Sequence, residues 1–122
     1  MIENYFQDGS AWGVQIQYLK EGDTMGTAGG LHLLPEKPKE PFIVMNGDLL
    51  TKLNFESLLD YHTNSQSLAT LCVRSHEYEI PYGVIEMDDL EVKSLSEKPV
   101  HKYFVNAGIY AFSPKALDYL PK

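Results

Sequence analysis

A lone carboxylate at the end of an apolar run is the most chemically suggestive feature of this chain. Phe42, Ile43, Val44 and Met45 lead straight into Asn46, Gly47 and Asp48. A short apolar run closed by turn residues reads as a buried strand, parallel to its neighbours and covered by helices on both faces. Asp48 then stands just past the carboxyl end of that strand, the edge at which open α/β sheets bind ligands. An aspartate there suits a divalent metal or a phosphate-linked group. It equally suits an ordinary strand-to-helix turn, with the carboxylate as a cap. Gly47, without a Cβ, lets the backbone turn sharply or a ligand approach closely. The other reactive types form no such constellation. His32, His62, His76 and His101 lack metal-ligand spacing and read as structural or surface residues. Cys72 sits in the apolar run "LATLCV" and reads as core.

The elements that position these residues follow from pattern. A chain of 122 residues is long enough for one domain with a core. With 43% hydrophobic and 22% charged residues the composition is globular. No apolar run approaches the roughly 20 residues of a membrane span, no signal peptide opens the chain, and the single cysteine fits a reducing cytosol. A cytoplasmic protein is expected. The net charge of -7 argues against nucleic acid or anionic membrane as partners. A phosphate ligand would need local devices: backbone N–H groups, one or two lysines and a metal.

Met1 to Phe6 reads as helical, broken by "QDGS". Val14, Ile16 and Tyr18 alternate, which predicts a strand over Gly13 to Tyr18. A glycine-rich loop follows, and "TAGGLHLL" has helical character with Thr27 as N-cap. "PEKPKEP" is a loop. Phe55, Leu58, Leu59 and His62 fall at helical spacing behind Asn54, which predicts a capped amphipathic helix. "SLATLCVRS" reads as a second buried strand. After Ser75 come three strand-like runs, "YGVIEMDD", "LEVKSLSEKP" and "KYFVNAGIYAFS", the first two joined by a turn at "DDLE". "SPKALDYL" opens a helix, with Ser113 as N-cap and Pro114 at its first position. A mixed α/β sheet is the expected class.

Five motifs, "GVQIQYLKEGDTMGTAGGL", "FIVMNGDLL", "YGVIEMD", "SEKP" and "FVNAGIY", occur in the order and rough spacing of the sugar-1-phosphate nucleotidylyltransferases. The chain resembles that family from about Met1 to its end. "VNAGIY" and "GTAGG" are most similar to mannose-1-phosphate guanylyltransferases and related hexose-1-phosphate enzymes. The resemblance implies a Rossmann-like mixed sheet, in part. It implies transfer of a nucleotidyl group from an NTP to a hexose-1-phosphate, with GTP and a mannose-1-phosphate-like sugar the best match and pyrophosphate as product. Mg²⁺ is the implied cofactor, with Asp48 as metal ligand. Gly26, Thr27 and Gly29 would lie on the nucleotide side, where a flat base can rest against backbone. Gly83, Glu97, Lys98, Asn106 and Gly108 would form the sugar-phosphate side. Glu97 would accept from sugar hydroxyls, and Lys98 would act on the sugar phosphate as a compact positive charge, with a catalytic role beside Asp48. Asn106 offers both a donor and an acceptor. Without the family, Glu97–Lys98 is an exposed pair before a proline turn, and Asn106 a loop asparagine.

Two features of the family do not occur in this sequence: the opening glycine-rich loop that cradles the triphosphate, and a second metal-binding aspartate. The expectation is an internal portion of the transferase domain. Residues 1–75 would form its nucleotide and metal side, and residues 76–122 its sugar-phosphate strands and last helix. Strands left without neighbours predict a homo-oligomer or a rearranged sheet. Two other functions fit less of the pattern. One is a non-catalytic regulatory or oligomerisation subunit that keeps the sugar-binding half. The other is a nucleotide-sugar glycosyltransferase, which usually carries Asp-x-Asp where this chain has only "NGDLL".

Overall fold

In the computed structural model, which describes residues 1–22, 26 and 28–120, the chain is mixed α/β and its strands pair antiparallel. The strands are β1 (Phe42–Met45), β2 (Ala69–Glu79), β3 (Gly83–Asp88), β4 (Glu91–Glu97) and β5 (Val100–Phe112). The α-helices are α1 (Ile2–Phe6) and α2 (Phe55–Asn64), and short 3-10 helices cover Ser10–Trp12, Gly29–Leu33 and Pro114–Tyr119.

β5 is the middle strand of a sheet ordered β1-β5-β2, antiparallel to both neighbours. β1 and β2 therefore run in the same direction, and α2 is the crossover between them. The register Ile43↔Ala111↔Thr70 fixes the faces. Side chains alternate across a strand, so Ile43, Ile109, Ala111, Thr70 and Cys72 share the face that α2 covers. The core lies there: Leu58, Ile109 and Ala111 are buried, with Ile43, Leu49, Leu59 and Cys72 packed against them.

α2 forms where the pattern places it. Asn54 Oδ1 accepts from the Ser57 amide at 3.0 Å, satisfying one of the orphan donors of the first turn. Leu58 and His62, four residues apart, point into the sheet. His62 is 1% exposed and its two ring nitrogens meet Thr70 Oγ1 at 2.8 Å and Ser113 Oγ at 3.0 Å. The Ser113 hydroxyl donates its proton to the Ser67 carbonyl, so it accepts from Nε2–H of the ring. Nδ1 shares a hydrogen bond with the Thr70 hydroxyl. One histidine thus ties α2, β2 and the residue after β5 together.

Several elements differ from expectation. β1 is not a buried parallel strand. It pairs antiparallel with β5, its other edge is unpaired among the described residues, and it is half-buried. Gly13 to Tyr18 is not a strand: Val14 N and Ile16 N donate to the Gly9 and Asp8 carbonyls. Gly9 and Gly13, both with positive φ, fold the segment back on itself. Alternation alone does not make a strand without a partner edge. β2 forms, but Leu71 and Val73 on its outer face are exposed. The helix after the glycine-rich loop is a 3-10 turn from Gly29. The proposed cap Thr27 lies outside the described residues. The last helix is also 3-10, with Pro114 at its start; Ser113 makes no side-chain cap because its hydroxyl serves Ser67.

β3 and β4 extend the β2–β5 pair into one long ribbon with a kink. Ile80 N donates to the Pro99 carbonyl and Lys98 N to the Tyr82 carbonyl, so pairing resumes at Gly83↔Glu97. Pro81 and Pro99 stand at the joint, where neither offers a ladder donor. At the far tip Asp89, with φ 49°, makes the tight turn between Asp88 and Glu91. The molecule exposes 10371 Å² in all, against about 6,600 Å² for a compact monomer of this size.

Candidate functional site

The residues expected on the metal and sugar-phosphate sides fall into two groups, joined by β5. The first is at the C-terminal end of β1. Asn46 N donates to the Gly108 carbonyl at 3.0 Å. At that level β5 carries a bulge: Cys72 alone on β2 faces Ala107, Gly108 and Ile109, because the register passes from Leu71↔Tyr110 to Val73↔Asn106. Gly108 has φ 69°, a conformation that favours glycine. A Cβ at Gly108 would sit 2.7 Å from Asn46 Nδ2, so the side chain of Asn46 occupies the space that Gly108 leaves. Asn106 holds the bulge from the other side. Its Oδ1 accepts from Gly108 N at 2.9 Å and its Nδ2 donates to the Tyr110 hydroxyl at 2.6 Å. One amide N–H and one lone pair of Asn106 remain for a ligand.

Asp48 lies in the exposed turn just beyond Asn46. Among the described residues no three His, Cys, Asp or Glu side chains come together to hold a metal. A lone carboxylate does not retain Mg²⁺ unless phosphate oxygens complete the shell.

The second group is the mouth of the β3–β4 ribbon. Gly83 and Glu97 are cross-strand partners, and a Cβ at Gly83 would lie 3.1 Å from Glu97 Oε2. The absent side chain leaves room for that carboxylate. Lys98 follows at the kink with φ 45°, a conformation that costs a residue other than glycine about 1–3 kcal/mol. Neither Glu97 nor Lys98 has an ion-pair partner among the described residues, and both are exposed. Between Val100 and Asn106 lie roughly 20 Å of strand, so the two groups do not share one cavity here. On the nucleotide side, Gly29 N donates to the Gly26 carbonyl at 3.4 Å, and Gly26 is open to solvent with φ 74°.

Sequence reasoning passed over Arg74. It is the only arginine in the chain, and it lines a cavity of about 340 Å³ beneath the Leu49–Thr51 segment. The available signal was parity: in "LATLCVRS" Arg74 follows Cys72 on the side that faces α2.

The sequence matches the nucleotidyl transferase family over residues 1–122. The chain belongs to that family. A UTP–glucose-1-phosphate uridylyltransferase from Synechocystis sp. is 34% identical, over 98% of this chain and 36% of its own length. A probable mannose-1-phosphate guanylyltransferase 3 from Oryza sativa subsp. japonica is 36% identical, over 87% of this chain and 32% of its own. The mannose-1-phosphate guanylyltransferase catalytic subunit beta of Drosophila melanogaster is 35% identical, over 87% and 30%. The chain thus spans about a third of the length of these curated relatives. The crystal structure of HddC from Yersinia pseudotuberculosis superposes with a TM-score of 0.62 at 21% identity, covering 99% of this chain and 54% of that one. That likeness concerns the fold.

Proposed function

We propose that this chain carries the sugar-phosphate side of a nucleotidyltransferase that makes an NDP-sugar and pyrophosphate from an NTP and a hexose-1-phosphate, with GTP and a mannose-1-phosphate-like sugar the best match. The observation that carries this reading is the mouth of the β3–β4 ribbon. There Glu97 reaches over Gly83 as an acceptor, and Lys98, held in a costly backbone conformation, follows it in the chain. A carboxylate for hydroxyls next to an ammonium for phosphate is the donor set that a sugar phosphate needs. The catalytic work expected of these residues is positioning and charge neutralisation, as in phosphoryl transfer generally. Lys98 would offset charge on the sugar phosphate while Glu97 orients the ring. Asn106 and Gly108 would shape the wall next to Asp48, and Gly26, Thr27 and Gly29 the approach to the base. Mg²⁺, held by Asp48 together with substrate phosphates, would supply further charge neutralisation.

The lone carboxylate and the separation of the two groups support binding without turnover by this chain alone. Titration with mannose-1-phosphate, followed by amide NMR, should move Gly83, Glu97 and Lys98 with a Kd near 1 mM, about -4 kcal/mol. Glu97→Ala should weaken this by about 1–3 kcal/mol and leave NTP binding unchanged. Asp48→Asn should alter only the Mg²⁺ dependence. Shifts that avoid residues 82–98, or equal losses of sugar-phosphate and NTP binding in Glu97→Ala, would sink the assignment.

A further inference from the structure

We propose that the cavity on the α2-bearing face of the sheet binds a small organic oxyanion, anchored by Arg74. The cavity measures about 340 Å³, at the lower end of small-molecule sites. Leu49, Val105 and Ile109 give it an apolar wall, and Arg74, Thr51 and Asn106 are its polar residues. Among the described residues no acidic side chain lines it. In a chain of net charge -7 this is a local reversal of sign.

Arg74 has no hydrogen bond or ion pair among the described residues, although carboxylates are abundant and Lys37, Lys93 and Lys102 are paired. A guanidinium presents its N–H groups as a rigid fork that matches two oxygens of one phosphate or carboxylate. Thr51 Oγ1 accepts from Leu53 N at 3.0 Å, which leaves the hydroxyl proton for a second acceptor. The apolar wall selects an oxyanion attached to an apolar or partly apolar body over a bare ion.

The cavity adjoins the residues assigned to the sugar phosphate and shares Asn106 with them, while Arg74 and Thr51 belong to neither group. Thr70 meets His62 of α2, Cys72 packs on the core, and Arg74 continues the same side of β2. Asn106 lines the cavity at its border, with its Nδ2 already donating to the Tyr110 hydroxyl at 2.6 Å. Glu97 and Lys98 lie beyond the kink, further along the ribbon. The oxyanion is either a phosphate ester or a carboxylate, and the probes below separate the two.

The test uses the 122-residue chain and ¹⁵N NMR of the Arg74 Nε–H and the amides of Thr51, Val105 and Ala107. Phenyl phosphate and benzoate are titrated in parallel with inorganic phosphate, and with sodium chloride at matched ionic strength. At least one of the two aromatic anions should give saturable shifts at these positions, and should bind more tightly than inorganic phosphate. Phenyl phosphate ahead of benzoate identifies a phosphate-ester site, and the reverse order a carboxylate site. Arg74→Gln should weaken binding by about tenfold or more, with Arg74→Lys intermediate because it keeps charge and loses the fork. Arg74 is exposed and unpaired, so both variants should keep the native amide spectrum. Three results would overturn the proposal: shifts reproduced by chloride, shifts unchanged in Arg74→Gln, or an Arg74 Nε–H already protected from exchange before any anion is added. None of them bears on the Glu97–Lys98 titration, whose readout lies on β3 and β4.

Discussion

Replacing Gly108 with alanine tests whether the β5 bulge sets the position of the segment that carries Asp48. Gly108 has φ 69°. An alanine held in the left-handed region costs about 1–2 kcal/mol. The added Cβ would lie 2.7 Å from Asn46 Nδ2, 3.1 Å from Asn46 Cγ and 3.3 Å from Leu49 Cδ1. The Asn46 amide is the end of an exposed side chain and can swing aside at little cost. Leu49 packs against the core and can yield only by losing contacts there, which adds about 1 kcal/mol. The expected total is about 2–3 kcal/mol. Against the roughly 5–15 kcal/mol that holds a typical domain together, that is a large fraction. Urea denaturation should show a lower midpoint with an unchanged slope, because the surface exposed on unfolding is the same. Amide shifts should concentrate at residues 46–49 and reach Asp48, while β3 and β4 stay unmoved. A loss below about 0.5 kcal/mol, or shifts spread evenly over the sheet, would refute the argument that Gly108 and Asn46 interlock.

Three further outcomes follow from the same geometry. His62→Ala removes a buried ring, leaves the Thr70 hydroxyl without its partner and takes from Ser113 Oγ its ring donor, so it should cost about 2–4 kcal/mol in urea denaturation; a change below about 1 kcal/mol would show that the network is not formed in solution. Burial pushes the Cys72 thiol above its ordinary range. Its contribution to stability is therefore full below the free-thiol value of about 9 and is lost as pH rises through the raised value; iodoacetamide at pH 8 should label native protein about tenfold more slowly than unfolded protein, and equal rates would contradict the burial. Finally, the outer edges of β1 and β2 are unpaired among the described residues. With roughly 3,700 Å² more surface than a compact monomer, the chain should self-associate, since stable interfaces bury about 1,200–2,000 Å²; light scattering that shows a monomer at about 100 µM would remove that expectation.

What the sequence made legible was local. Asn54, with apolar residues at helical spacing behind it, specifies α2 because cap and periodicity act within one segment. The turn at Asp89 and the alternation on either side specify β3 and β4 for the same reason. The directions and partners of strands were not legible, because they depend on which edge a run meets. The run Phe42–Met45 looks the same whether its neighbour is parallel or, as found, the antiparallel β5. Val14, Ile16 and Tyr18 alternate like a strand, yet Gly9 and Gly13 turn the segment back before any edge can take it. The bulge at Gly108 was hidden as well. "NAGIY" shows a glycine in a strand-like run, but only the count of residues on β2 opposite it reveals the two extra positions.

The candidate site divides along the same line. Residue types announced Asp48, Glu97 and Lys98, since adjacent opposite charges and a carboxylate after an apolar run stand out in one dimension. Their arrangement was not announced, because it is set by the two prolines. Pro81 and Pro99 read separately as ends of runs. Paired across two strands they fall at one level, where Ile80 N–Pro99 O and Lys98 N–Tyr82 O are the bonds that carry the ribbon across. The ribbon bends there, and Lys98 takes up the bend in its own backbone. Glu97 and Lys98 are consequently held by β3–β4 pairing and the kink, not by the core around Leu58, Ile109 and Ala111. Arg74 illustrates the converse. Its neighbours in the chain offer no chemistry, and it becomes a candidate only because β2 sets it beside a segment more than twenty residues earlier, over a cavity with no acidic wall among the described residues. Stability and ligand recognition should therefore separate in this protein: changes at His62 or Gly108 act on the sheet and the Asp48 segment, while the ribbon mouth keeps its geometry as long as its own ladder is intact.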